Sequence, residues 1–349
     1  MKPAKLLVTL AKTVLPLALG IYLFWYFFSS MSAESKQFFY TAIREADYLW
    51  VILSLLIGVV AYFSRAYRWK YVLEPIGYKT SFWNRYHAVM IGYLVNLTIP
   101  RAGEASRSAM LYRSDGVPFS TSFGTIIAER AVDFVALCSI ALVTAMLGYD
   151  DLMIIKQQIE DNFGGTSTVQ KAGFEWKYIV YVLLLLGFLS VGVLFVLKDS
   201  FRTKLVSFVR GISEGVLSIF RSQYPFSYLL HTAIIWMCYL AMFFLPFQAL
   251  DETSGMNAEA MLVGFIAGSL GIIFTNGGIG VYPLLVGLVV AYYLGDEHKD
   301  AQAVGNALGM LIWTSQTVLM IILGLVSLFL LPRNYSKETA DEPVDLSGK

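Results

Sequence analysis

Six charged side chains fall where an apolar helix would otherwise run on: Arg101, Glu104 and Arg107 around Pro100 and Gly103, then Glu129, Arg130 and Asp133 inside the next apolar run. Pro100 and Gly103 break the helix and free backbone donors and acceptors that hydrocarbon cannot satisfy, so this turn must face protein or water. Glu104 stands three residues before Arg107 and can share its face, and it also suits the positive N-terminal end of the helix that follows the break. With Asn96 just before the break, Arg101 and Arg107 form either a self-satisfied polar turn or an anion site. The fork of donors on an arginine matches a phosphate.

In the second cluster Glu129 and Asp133 lie one turn apart on one face, and Arg130 reaches Asp133 at three residues' separation. Charges this deep in a span cost about 3 kcal/mol each and normally face a bundle interior or an aqueous cavity. They read as a structural ion-pair network, or as a polar route whose carboxylates position the arginines or meet a cationic headgroup. A third group, Arg65 and Arg68 with Tyr67 and Trp69, ends an apolar run. Its plain reading is interfacial anchoring; its sharper one adds Arg68 to the phosphate-binding set.

The turn Asn276-Gly277-Gly278-Ile279-Gly280 interrupts another apolar stretch. Gly277, Gly278 and Gly280 allow close helix packing or, through free N–H groups, contact with an anion at a gate. His87, His231 and His298 share no metal-ligand spacing, and no nucleophile–base arrangement can be read from Ser, Cys and His. No catalytic centre, metal or cofactor is expected. Cys138 and Cys238 sit in apolar runs and read as core hydrophobes.

These clusters must be held by membrane helices. The 349 residues are 57% hydrophobic and only 15% charged, which excludes an ordinary soluble domain. Runs long enough to cross a core of roughly 30 Å recur near 8–28, 48–67, 120–148, 177–197, 228–249 and 304–331. Two more, 82–112 and 258–294, are broken at 100–104 and 276–280 and read as hairpins that enter and leave on one side. The first run follows Lys2 and Lys5 but is longer than a signal-peptide core, so an uncleaved span is expected.

The balance of 26 basic and 25 acidic residues argues against nucleic acid as a partner. The distribution of the basic residues is more informative. With the N-terminus inside and both broken stretches as hairpins, the outer loops keep only Lys36, Arg44, Lys156, Lys171, Lys177 and Lys299, and the basic 198–226 segment stays inside. Within that segment, Leu205, Phe208, Val209, Ile212, Val216, Ile219 and Phe220 recur at helical spacing, as in an amphipathic helix lying in the inner interface. The expected fold class is all-α: a polytopic membrane helix bundle of about six spans plus two re-entrant helical hairpins. One membrane domain over 1–335 precedes a polar, disordered tail over 336–349.

The series Arg65, Arg68-Trp69, Asn96, Pro100-Arg101-Ala102-Gly103-Glu104, Arg107, Glu129-Arg130, Asp133 and Gly277-Gly278-Ile279-Gly280 resembles the flippase-like family that includes the transmembrane region of lysylphosphatidylglycerol synthases. The resemblance covers nearly the whole chain. It implies a multi-pass protein of the cytoplasmic (inner) membrane, both termini cytoplasmic, that moves an anionic phospholipid or a polyprenyl phosphate lipid between leaflets. Bifunctional members add an aminoacyl-transferase domain, which this chain is expected to lack. The chain also departs from the family at the second break, where Asn276 and Tyr282-Pro283 stand in place of a proline before the glycines and a glutamate after them.

No Gly-rich Lys-Ser/Thr phosphate loop occurs, so the expected translocase carries no ATP-binding module. Two other classes stay open: an intramembrane headgroup or glycosyl transferase with Glu104 or Glu129 as base, and an accessory subunit for a separate synthase or glycosyltransferase partner.

Overall fold

The computed structural model describes residues 33–99, 101–147, 223–275, 277–295 and 301–331, together with Trp25, Ser29, His298 and Asp300. The spans expected near 8–28 and 177–197, the amphipathic 205–220 segment and the 336–349 tail lie outside the described residues. The protein is an all-α membrane helix bundle. It divides into two compact units, 1–127 with 219–349, and 128–218.

Helix α1 (Ala33–Glu45) buries Phe39 and Ala42 and packs on α9. Helix α2 (Tyr48–Leu73) starts at Asp47, whose carboxylate accepts the Leu49 N–H at 3.0 Å, and runs past the expected end so that Arg68 and Trp69 remain helical. Helices α3 (Phe82–Thr98) and α4 (Gly103–Asp115) replace the first broken stretch, and α5 (Phe119–Leu147) follows. Helix α6 (Pro225–Phe244) ends in a 3-10 turn, Leu245–Ala249. Helices α7 (Ala258–Phe274) and α8 (Val281–Leu294) replace the second broken stretch, and α9 (Ala301–Leu330) closes the described chain.

Among the described residues, three segments are long and apolar enough to cross a membrane: Tyr48–Ile76, Pro225–Ala249 and Ala301–Leu330. Helix α5 has the length, with Glu129, Arg130 and Asp133 inside it. Helix α2 is the most embedded of the three. Its Val51, Ser54, Gly58, Ala61 and Arg65 stripe is buried, while Ile52, Leu56 and Val60 face outward, as a lipid-facing side should. Gly58 lets Met242 of α6 lie against it, since an added Cβ would fall 2.7 Å from the Met242 Cε.

The 17 residues of α3 and the 13 of α4 are each shorter than the roughly 20 a span takes. They fold back on each other as a helical hairpin clasped at both ends. At the tip the Asn96 side-chain oxygen accepts the Gly103 N–H at 2.9 Å; at the base Asp115 accepts the Ser81 N–H at 3.1 Å. Gly103 is needed between them, because a Cβ there would strike the Gly92 carbonyl oxygen. Arg85 ties α3 to α2 through the Ala66 carbonyl at 2.9 Å, and His87 meets Ser327 of α9 at 2.9 Å.

Helices α7 and α8 form the second hairpin, 17 and 14 residues long. Its tip turns through positive φ at Gly277, Gly278 and Gly280 (65°, 79° and 73°), which side chains resist. Trp313 of α9 donates its indole N–H to the Gly277 carbonyl at 2.8 Å, and a Cβ on Gly277 would lie 3.1 Å from Leu97 of α3. The two hairpin tips therefore meet. One expectation fails: Cys138 is exposed, on the same outward face of α5 as Phe134 and Leu142. An apolar run in a membrane protein is apolar on its lipid side too, so apolar neighbours do not imply a core position.

Candidate functional site

Arg65 and Arg68 lie one turn apart on α2, and neither snorkels. Arg65 is 3% exposed and Arg68 fully buried, with both guanidinium groups turned into the helix packing. Arg68 donates to the Thr232 hydroxyl at 3.2 Å and lies 5.4 Å from the Tyr228 ring centroid. Thr232 spends its own proton on the Tyr228 carbonyl at 2.9 Å, leaving its oxygen to accept from arginine.

Arg107 arrives from α4. Its guanidinium carbon sits 3.7 Å from the centroid of the Trp69 ring, a face-on cation–π contact in a buried setting, and the side chain is 3% exposed. Trp69 is itself fixed: its indole N–H donates to Thr125 at 2.9 Å, and Thr125 donates to the Ser122 carbonyl at 2.7 Å. The planar fork of guanidinium N–H groups is the geometry by which a phosphate is bound through two parallel hydrogen bonds.

Arg65 joins a hydroxyl pair instead. It donates to the Tyr239 hydroxyl at 3.0 Å, and that oxygen lies 3.3 Å from the Tyr93 hydroxyl. Beside it, Ser64 meets His231 Nδ1 at 2.8 Å, and the imidazole stacks on Tyr67 at 5.6 Å. Helix α2 thus carries the polar core: Arg65 and Arg68 meet α6 and Tyr93 of α3, and Trp69 meets Arg107 of α4 and Thr125 at the start of α5.

The structure places Arg107 on Trp69 and Arg68 against Tyr228 and Thr232 of α6, and puts Asn96 in the same hairpin as Arg107, where its oxygen caps the N-terminus of α4. Arg101 stands apart. It is exposed at the tip, with a φ of 60° rare for a side-chain-bearing residue, and makes no hydrogen bond or ion pair among the described residues. Glu104 is half-buried in the first turn of α4. In the second unit Glu129 is fully buried, Asp133 is 9% exposed, and Arg130 lies 3.8 Å from Asp133. Gly277, Gly278 and Gly280 form the tip of the second hairpin.

Sequence reasoning missed Tyr93, Thr125, Tyr228, Thr232 and Tyr239, whose signal is weak. Tyr228, Thr232 and Tyr239 share one face of α6, but tyrosine and threonine are ordinary in membrane helices. Their meaning appears only once that face lies against the arginines of α2.

The family described as Lysylphosphatidylglycerol synthase TM region matches residues 13–324. The chain belongs to this family. Every residue of the polar core falls within the region of the Lysylphosphatidylglycerol synthase TM region match. The UPF0104 membrane protein MJ1595 of Methanocaldococcus jannaschii is 29% identical over 87 residues, covering 24% of this chain and 26% of that protein. Glycosyltransferase AglD of Haloferax volcanii is 26% identical over 121 residues, covering 33% of this chain and 19% of that protein. The chain thus spans about a quarter or less of the length of these curated relatives. No solved structure matches it.

Proposed function

We propose that the chain is a lipid translocase of the cytoplasmic membrane that binds the phosphate of an anionic phospholipid or a polyprenyl phosphate lipid through Arg107 and Arg68. The acyl tails stay in the bilayer while the headgroup passes through the polar core. The observation that carries this reading is the Arg107 guanidinium carbon 3.7 Å from the Trp69 ring centroid, with Arg107 and Arg68 both buried in a bundle of membrane helices. Keeping two guanidinium groups buried is costly, and cations within membrane helix bundles are found on substrate pathways. Arg101 takes part at the tip of its hairpin, and the abutting tips at Leu97 and Gly277 act as the gate.

Vesicles reconstituted with the purified protein and a panel of fluorescent lipids test this. Anionic lipids should cross faster than in empty vesicles, and Arg107→Ala should abolish the gain. Transport equal to that of empty vesicles across the panel would refute it. The likeness to a glycosyltransferase over 121 residues favours a second reading, an accessory subunit for a separate synthase or glycosyltransferase. Partner copurification and a normal phenotype that both survive Arg107→Ala would support that reading over transport.

A further inference from the structure

The Arg65–Tyr239–Tyr93 group has a direction. The Tyr239 oxygen accepts from the Arg65 guanidinium at 3.0 Å, and the Tyr93 oxygen lies 3.3 Å beyond it. A hydroxyl that accepts from a cation becomes a stronger donor, because each bond in a chain polarises the next. The favoured order therefore runs from Arg65 to Tyr239 to Tyr93. In that order the Tyr93 proton is left over, and among the described residues it has no acceptor.

Two further features sharpen that proton. The Arg65 guanidinium also lies 5.7 Å from the centroid of the Tyr93 ring, drawing electron density from the phenol. Tyr93 is half-buried, whereas Arg65 behind it is 3% exposed. The position is also informative. Tyr93 follows Gly92, where an added Cβ would lie 3.4 Å from the Arg107 Cβ, so the hydroxyl-bearing residue adjoins the crossing that carries Arg107.

We infer that the Tyr93 hydroxyl is a second anion-binding group, donating to a phosphate oxygen of a lipid headgroup, with Tyr239 as the positioning residue that transmits the Arg65 charge to it. This rests on the reading that Arg107 binds lipid phosphate, and it adds a neutral donor whose strength is set by an arginine that does not itself reach the ligand.

Binding of dihexanoyl phosphatidylglycerol and of inorganic phosphate to the purified full chain tests the inference, with the affinity and the melting temperature measured for Tyr93→Phe, Tyr239→Phe, the double variant and Arg107→Gln. Tyr93→Phe should weaken binding of the lipid about tenfold, the loss expected for a hydrogen bond to a charged group. Tyr239→Phe should weaken it by less, and the double variant by no more than Tyr93→Phe alone, since Tyr239 acts only through Tyr93. A merely structural pair would instead lower the melting temperature without this non-additivity. If Arg107→Gln weakens lipid binding and Tyr93→Phe does not, the relay is wrong and the phosphate site stands. If Tyr93→Phe alters only the affinity for inorganic phosphate, the assignment to a lipid headgroup is wrong. If neither Arg107→Gln nor Tyr93→Phe changes lipid binding, the underlying reading falls and the relay with it.

Discussion

Laying Arg107 over Trp69 at 3.7 Å replaces water on one guanidinium face with a ring that tolerates positive charge, and a desolvated contact of this kind contributes about 2 kcal/mol. Removing the ring should therefore loosen both the arginine and what it binds. Trp69→Leu is expected to weaken binding of a short-chain anionic lipid by about tenfold, with Trp69→Phe between the two, as measured by titration of the purified protein. Thr125→Val keeps the shape of the threonine but removes the acceptor of the indole N–H; it should weaken lipid binding severalfold, and Thr125→Ser should restore it. At this scale the sequence was only partly legible. Arg107 and Arg68 stood out because charge in an apolar run is expensive, whereas Tyr93, Thr125 and Thr232 are unremarkable until the arginines and Trp69 are seen against them. The Tyr-Arg-Trp cluster at the end of α2 also reads as an interfacial anchor, and only the burial of Arg65 and Arg68 separates that reading from a core role.

Helices and their interruptions were far easier to read. Pro100 and Gly103, and then Gly277 through Gly280, mark the two hairpin tips because no other residues make those turns so readily, and α3, α4, α7 and α8 stop and start at them. Helix α1 was not legible: its polar, charged sequence hides the short Phe39 and Ala42 face that packs on α9. The tip contacts are also beyond sequence, since Asn96 and Gly103 are seven residues apart and look like separate turn residues. Asn96→Ala leaves the Gly103 N–H without its cap and should cost about 1 kcal/mol, seen as a lower melting temperature and faster amide exchange at the start of α4. Gly277→Ala places a side chain at a φ of 65° and against Leu97, so it should destabilise the protein by at least about 1 kcal/mol. If the tips act as a gate, that variant should change transport more than it changes lipid binding.

For the whole molecule, the all-α membrane bundle follows from hydropathy, and the family from the order of short polar motifs along nearly the entire chain. Which faces of those helices meet does not follow, because a membrane helix is apolar toward lipid and toward protein alike; Cys138, facing outward, shows how little its apolar neighbours say about position. In the proposed function, Arg107 held on Trp69 is what takes the phosphate while the tails remain in lipid. The most direct measurement is the rate at which a fluorescent anionic phospholipid changes leaflet in vesicles containing the wild-type protein, the Arg107→Ala variant or no protein. Rapid exchange with the wild type and exchange at the protein-free rate with Arg107→Ala is the expected result. Wild-type and variant proteins that move the lipid equally fast, or a wild type no faster than empty vesicles, would contradict the assignment of Arg107 as the headgroup-binding residue of a translocase.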